Sequence, residues 1–115
     1  MQDYAELRHT LEARRQELRE RLSGIQAHLQ RGGEPLPQDF AEQAVAREND
    51  QVIEALEGEV RAELREIERA LHAMDIGEYG VCEVCGAEIP LSRLRILPAT
   101  RLCVACAERR ERGRG

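Results

Sequence analysis

Apolar residues recur at helical intervals in two long runs of an otherwise polar chain. The first run, Tyr4, Leu7, Leu11, Leu18, Leu22, Ile25 and Leu29, steps mostly by threes and fours. That spacing sets the residues on one narrow stripe and predicts an amphipathic helix from about Asp3 to Arg31, about 43 Å long at 1.5 Å per residue. Arg14 and Arg15 interrupt the stripe between Leu11 and Leu18, and Gly24 lowers helix propensity without ending the pattern. Gly32-Gly33-Glu34-Pro35-Leu36-Pro37 cannot continue a helix and predicts a turn. The second run includes Phe40, Ala44, Val45, Val52, Leu56, Val60, Leu64, Ile67, Leu71 and Met74, and predicts a helix from Asp39 to about Met74, about 54 Å long. Two narrow stripes joined by so short a turn are expected to pack antiparallel as a coiled-coil hairpin, each burying the other. Both chain ends then lie near one pole and the turn, residues 32–44, about 50 Å away at the other.

Asp75-Ile76-Gly77-Glu78-Tyr79-Gly80 closes the second helix and leads into a segment of different character. All four cysteines lie there, as Cys82-x2-Cys85 and Cys103-x2-Cys106, with seventeen residues between the pairs. Each C-x-x-C turn aims two sulfurs at one spot, and the separation lets the chain fold back to bring in the second pair. Four thiolates close a tetrahedral shell around one Zn²⁺, with no position left for an activated water, so the ion is expected to be structural. Gly86 suits the tight backbone of such a knuckle. Two disulfides and a thioredoxin-like redox pair are the competing readings. The chain is no disulfide scaffold, and no βαβ context accompanies the cysteines. After Cys103 a short terminal helix is expected, to about Arg112. The fold class is thus mainly α: a long antiparallel hairpin over residues 1–78, then a small four-cysteine zinc-ribbon-like knob with a C-terminal helix over 79–115.

Composition agrees with this division. The 115 residues carry 34% charged and 3% aromatic side chains with no Trp, too little for a large core but apt for solvent-washed helices. Every basic residue other than histidine is Arg. Residues 34–78 hold thirteen acids against four arginines, whereas residues 80–115 hold seven arginines against four acids. An acidic middle is a poor footprint for nucleic acid, so independent DNA binding is not expected. The run Arg109-Arg110-Glu111-Arg112-Gly113-Arg114 could meet phosphates, but such tails are more often merely solvated. No apolar run approaches the roughly 20 residues of a membrane span, and the first residues are not those of a signal peptide, so a cytoplasmic protein is expected. His9, His28 and His72 have no second ligand at metal spacing. No nucleophile stands with an evident base, and no glycine loop suits a phosphate, so an independent enzyme is not expected.

At the start of the second helix, Asp39 and Glu42 stand three residues apart. Spacing alone favours a capping role, since both acids suit a positive helix end.

The order of helical hairpin, acidic turn, Gly-Glu-Tyr-Gly-Val-Cys-Glu-Val-Cys-Gly-Ala-Glu-Ile-Pro and Arg-Leu-Cys-Val-Ala-Cys resembles the DksA/TraR family of bacterial regulators. The resemblance runs from about Met1 to the end, with an N-terminal segment of the longer members lacking a counterpart. It implies a partner, RNA polymerase, bound through the secondary channel, and an effect on initiation at promoters of the ribosomal-RNA or stringent-response type. The family's tip motif, Asp-x-x-Asp-x-Ala, maps onto Asp39, Glu42 and Ala44, with Glu in place of the second Asp. These residues would lie near the polymerase active site. Members that respond to ppGpp supply basic residues at positions that correspond here to Glu66, Leu97 and Ala107. None of the three is basic, which implies weak or no ppGpp dependence; Arg65, Arg95 and Arg101 lie close by. The leftover apolar surface of two narrow helices is small, and a monomer is expected. Three alternatives remain: a zinc-ribbon nucleic-acid-binding or adaptor module, a Gre-like modulator of transcript cleavage whose acids help place Mg²⁺, and a thiol redox sensor.

Overall fold

The computed structural model describes residues 4–30 and 40–114, with side chains for 4–28 and 51–113. Four helices follow one another among the described residues: α1 (Ala5–Gln30), α2 (Phe40–Asp75), α3 (Leu91–Ile96) and α4 (Val104–Arg114). Among the described residues the only pairing of β type is an isolated antiparallel bridge between Val81 and Glu88. No helix among the described residues is long and apolar enough to cross a membrane.

The chain forms two compact units, residues 1–15 with 66–115, and residues 16–65. In the first, α1 and α2 run antiparallel in a fixed register. Arg8 pairs with Asp75 at 2.9 Å and Arg15 with Glu68 at 3.4 Å, so seven residues forward on α1 match seven backward on α2. Seven residues is two turns, so the same two faces meet again at each repeat. Leu11, Ala70 and Leu71 are buried between these pairs, and Leu7 and Ile67 just beyond them. Arg15, expected to break the stripe, instead lies at its edge and spans to Glu68 across the helices. In the second unit Leu18 is fully buried and Val60 nearly so.

The stripe of α2 differs from the expected one at two places. Val52 and Leu56 are exposed, at 58% and 45%. A covered seam runs instead through Ile53, Glu57, Val60, Leu64, Ile67, Leu71 and Met74 in alternating steps of four and three, with Ala70 buried beside it. Both residues of each neighbouring pair are apolar at 52 and 53, and hydrophobicity alone could not choose between them. The regular seam chooses Ile53 and takes the aliphatic stem of Glu57 in preference to Leu56.

Helix α2 ends in a Schellman motif. The Glu78 amide donates to the Ala73 carbonyl at 2.8 Å and the Gly77 amide to Met74 at 3.3 Å. Gly77 adopts φ 77°, the left-handed conformation this motif requires. Three residues on, Gly80 has φ 85°, and a Cβ there would stand 2.6 Å from the Tyr4 hydroxyl oxygen. The bare backbone lets Tyr4 close over the junction, where its ring meets Tyr79 edge-on at 4.7 Å between centroids.

Candidate metal centre

The first cysteine pair sits on a tight loop directly after this junction. The Gly86 amide donates to the Cys82 carbonyl at 2.9 Å, and the Cys82 amide to Ala87 at 2.8 Å. Gly86, at φ 76°, makes the reversal possible. The second pair opens α4, with Cys103 as its N-cap. Its sulfur accepts from the Cys106 amide at 3.5 Å, as a capping oxygen would, and its carbonyl accepts from Ala107 at 3.0 Å.

Helix α3 holds the two pairs in register, an element the sequence pattern did not reveal because six residues are too few for a period. Pro90 starts it, its carbonyl accepting from the Arg93 and Leu94 amides. Ile89 and Leu94 are almost wholly buried and, with Cys82 and Cys106, are among the most buried side chains of this segment. Arg93 donates from Nε to the Leu102 carbonyl at 3.0 Å, one residue before Cys103. Tyr79 donates its hydroxyl to Pro98 at 2.8 Å from the other side. Burial, reinforced by the neighbouring Tyr4, pushes the Tyr79 hydroxyl up to about 12.

These contacts bring Cys82, Cys85, Cys103 and Cys106 together, with all four sulfurs within 4.8 Å of one another. The Cys85 and Cys103 sulfurs stand 3.7 Å apart. A tetrahedral Zn²⁺ with bonds of about 2.3 Å spaces its sulfurs by roughly 3.8 Å, so the cluster has the dimensions of a four-thiolate shell. The thiols themselves are unequal. Backbone amides of Cys103 and then Cys85 bring Cys82 down to about 6. The Cys106 amide at the start of α4 lowers Cys103. Burial, then the neighbouring sulfurs, drives Cys106 up to about 12. Four such groups share one negative centre only when a cation stands among them, and a divalent ion draws all four to thiolates. Cys82 and Cys106 are buried, and Cys85 is exposed.

Around the cluster the structure joins Glu66 and Arg101 to Arg69 and Glu83, two residues the sequence did not single out. Arg69 of α2 pairs with Glu66 and with Glu83, each at 2.5 Å, and reaches the Ala99 carbonyl at 3.4 Å. Arg101 closes the ring, 3.5 Å from Glu66 and 3.7 Å from Glu83. Glu83 stands between the cysteines of the first pair, so this four-membered charge network ties the knuckle to α2. Of the positions matched to basic residues in the resembling family, Glu66 lies in the network, Leu97 is exposed and Ala107 is half-buried. Asp39 lies outside the described residues. Glu42 and Ala44 lie within α2, with their side chains outside the description.

Comparison with known proteins accounts for both segments. The prokaryotic DksA/TraR C4-type zinc finger matches residues 77–112, and the DnaK suppressor protein-like N-terminal domain matches residues 7–74. The chain belongs to the DksA/TraR family. The four cysteines are therefore those of a C4 zinc finger, positioned to bind one ion. A relative in Escherichia coli (strain K12), the RNA polymerase-binding transcription factor DksA, is 32% identical over 111 residues, covering 94% of this chain and 73% of its own. A protein of Aquifex aeolicus (strain VF5) is 40% identical over 79 residues. The match covers 69% of this chain and only 54% of the Aquifex protein, so the present chain spans about half that relative's length. Among solved structures, transcription factor DksA2 from Pseudomonas aeruginosa superimposes with a TM-score of 0.81 at 34% identity, over 95% of this DksA/TraR chain and 84% of DksA2.

Proposed function

We propose that this chain is a non-catalytic regulator that binds RNA polymerase through its secondary channel and alters transcription initiation. The observation that supports this reading best is the match over 94% of the chain to an RNA polymerase-binding transcription factor, which takes in both long helices and all four cysteines. On this reading the segment joining α1 to α2 enters the channel. Asp39 and Glu42 approach the catalytic magnesium and Ala44 packs beside them. Carboxylates are hard ligands suited to that electrostatic environment, and Glu42 keeps the charge of the family's Asp on a stem one methylene longer. The zinc-bearing segment holds the outside of the channel. The protein acts as a monomer in the cytoplasm and reads no DNA sequence by itself.

Regulation by ppGpp is weak or absent on the same reading. Glu66 presents a carboxylate where basic members present a cation, and Leu97 and Ala107 offer no charge. Arg101, close to Glu66, is already paired with both Glu66 and Glu83. A polyphosphate would have to displace two carboxylates to use it.

The test is promoter transcription with purified polymerase, comparing the wild type with Asp39→Asn and Glu42→Ala while binding is measured in parallel. Variants that bind yet no longer change initiation support the reading. Variants that regulate like the wild type reduce the two acids to helix caps. A wild type that never binds polymerase overturns the proposal. Strong synergy with added ppGpp overturns its second part.

A further inference from the structure

The arginine-rich run at the chain's end is not one uniform solvated face. Arg109 lies three residues after Cys106 on α4, and on a helix that interval places two side chains side by side. Its guanidinium donates from Nη2 to the Cys106 sulfur at 3.6 Å. Among the described residues Arg109 is the only cation hydrogen-bonded to one of the four sulfurs. Cys106 is 4% exposed, so the charge its sulfur carries in a metal complex is shielded from water. Four thiolates around one Zn²⁺ leave a net charge of about −2, and buried charge needs a partner. Arg110 and Arg112, on the same helix, are exposed and make no such contact.

We propose that Arg109 is a positioning residue of the zinc centre: its hydrogen bond to the Cys106 sulfur offsets thiolate charge and slows loss of the ion. Groups that hydrogen-bond to metal ligands change metal affinity by about 10- to 100-fold when removed. The Arg109 side chain is itself largely exposed, so solvent screens part of the effect and the low end of that range applies, about tenfold.

The experiment mixes the zinc-loaded full chain with an excess of a colorimetric chelator and follows zinc transfer by absorbance. Far-UV circular dichroism of each variant is recorded alongside. Arg109→Ala is expected to release zinc about tenfold faster than wild type. Arg110→Ala, which removes the same charge from the same helix, should stay within about twofold. Arg109→Lys should release more slowly than Arg109→Gln, because the first keeps the charge and the second does not. Equal rates for Arg109→Ala and wild type overturn the proposal. So does equal acceleration by Arg109→Ala and Arg110→Ala, which would make the effect one of helix charge in general. If Arg109→Ala loses helical signal, the Lys and Gln pair decides: equal rates for these two also overturn it.

Discussion

Arg69 and Glu83 are fourteen positions apart in the chain, yet the guanidinium of one lies 2.5 Å from the carboxylate of the other. Arg69 belongs to the long helix α2, and Glu83 sits inside the first cysteine pair. The bond joins a helix that folds by its own seam to a loop that depends on metal ligation. Arg69 is 31% exposed and Glu83 50%, so solvent screens the attraction. Removing Arg69 nevertheless breaks contacts to Glu66, Glu83 and the Ala99 carbonyl together. Arg69→Ala is expected to cost about 1–2 kcal/mol in urea unfolding of the zinc-loaded protein, more than a lone surface pair. A double-mutant cycle with Glu83→Ala should show coupling of about 0.5 kcal/mol or more; strict additivity would mean the network is not a unit.

Two glycines should respond to alanine with opposite signs. At Gly80 a Cβ meets Tyr4 and the backbone has φ 85°, so Gly80→Ala should destabilise by about 2 kcal/mol or more. At Gly24, inside α1, nothing lies within 4 Å, and Gly24→Ala should stabilise by about 0.5–1 kcal/mol. Thermal melts of the two variants provide the comparison.

Tyr79 should titrate near 12 in the folded protein, two units above a free tyrosine at 10. Because the neutral hydroxyl is the favoured form in the fold, its contribution to stability is fully present below pH 10 and is lost as pH rises from 10 through 12. Ultraviolet titration of tyrosinate in wild type and Tyr79→Phe isolates the group. Tyr79→Phe also leaves the Pro98 carbonyl without this donor and should cost about 1 kcal/mol near neutral pH.

Chelation of zinc should unfold the cysteine segment and leave most helical signal in place. Residues 79–115 have a small core, centred on Ile89, Leu94 and two of the ligands themselves, and metal binding supplies folding energy for such modules. Helices α1 and α2 have their own buried seam. Circular dichroism at 222 nm after chelation should therefore fall by much less than half; a full loss would show that the helices need the metal.

Leu18→Ala, at a fully buried site, should cost about 2–5 kcal/mol. Leu56→Ala, at a site 45% exposed, should cost about 0.5 kcal/mol or less. Equal losses in chemical denaturation would mean that Leu56 belongs to the seam after all.

The sequence by itself determined the elements whose signal is local and repeated. Threes and fours in the apolar positions marked α1 and α2, and the two C-x-x-C pairs marked the metal centre; the turn expected at residues 32–37 lies outside the described residues. Each depends only on residues within a few turns of one another. Legibility ended where neighbours offered equivalent choices or where partners lay far apart in the chain. Val52 and Ile53 are alike to a periodicity argument, and only the packed seam selected Ile53. Helix α3 is too short to show a period and exists because Leu94 is buried against distant residues. The network of Glu66, Arg69, Glu83 and Arg101, the Tyr4 hydroxyl over Gly80 and the Arg109 contact with Cys106 are matters of side-chain reach. Charge alone does not say which arginine meets which acid or sulfur. The tertiary fold decided that, because an ion pair or hydrogen bond forms only between groups that the backbone has already brought within about 3–4 Å.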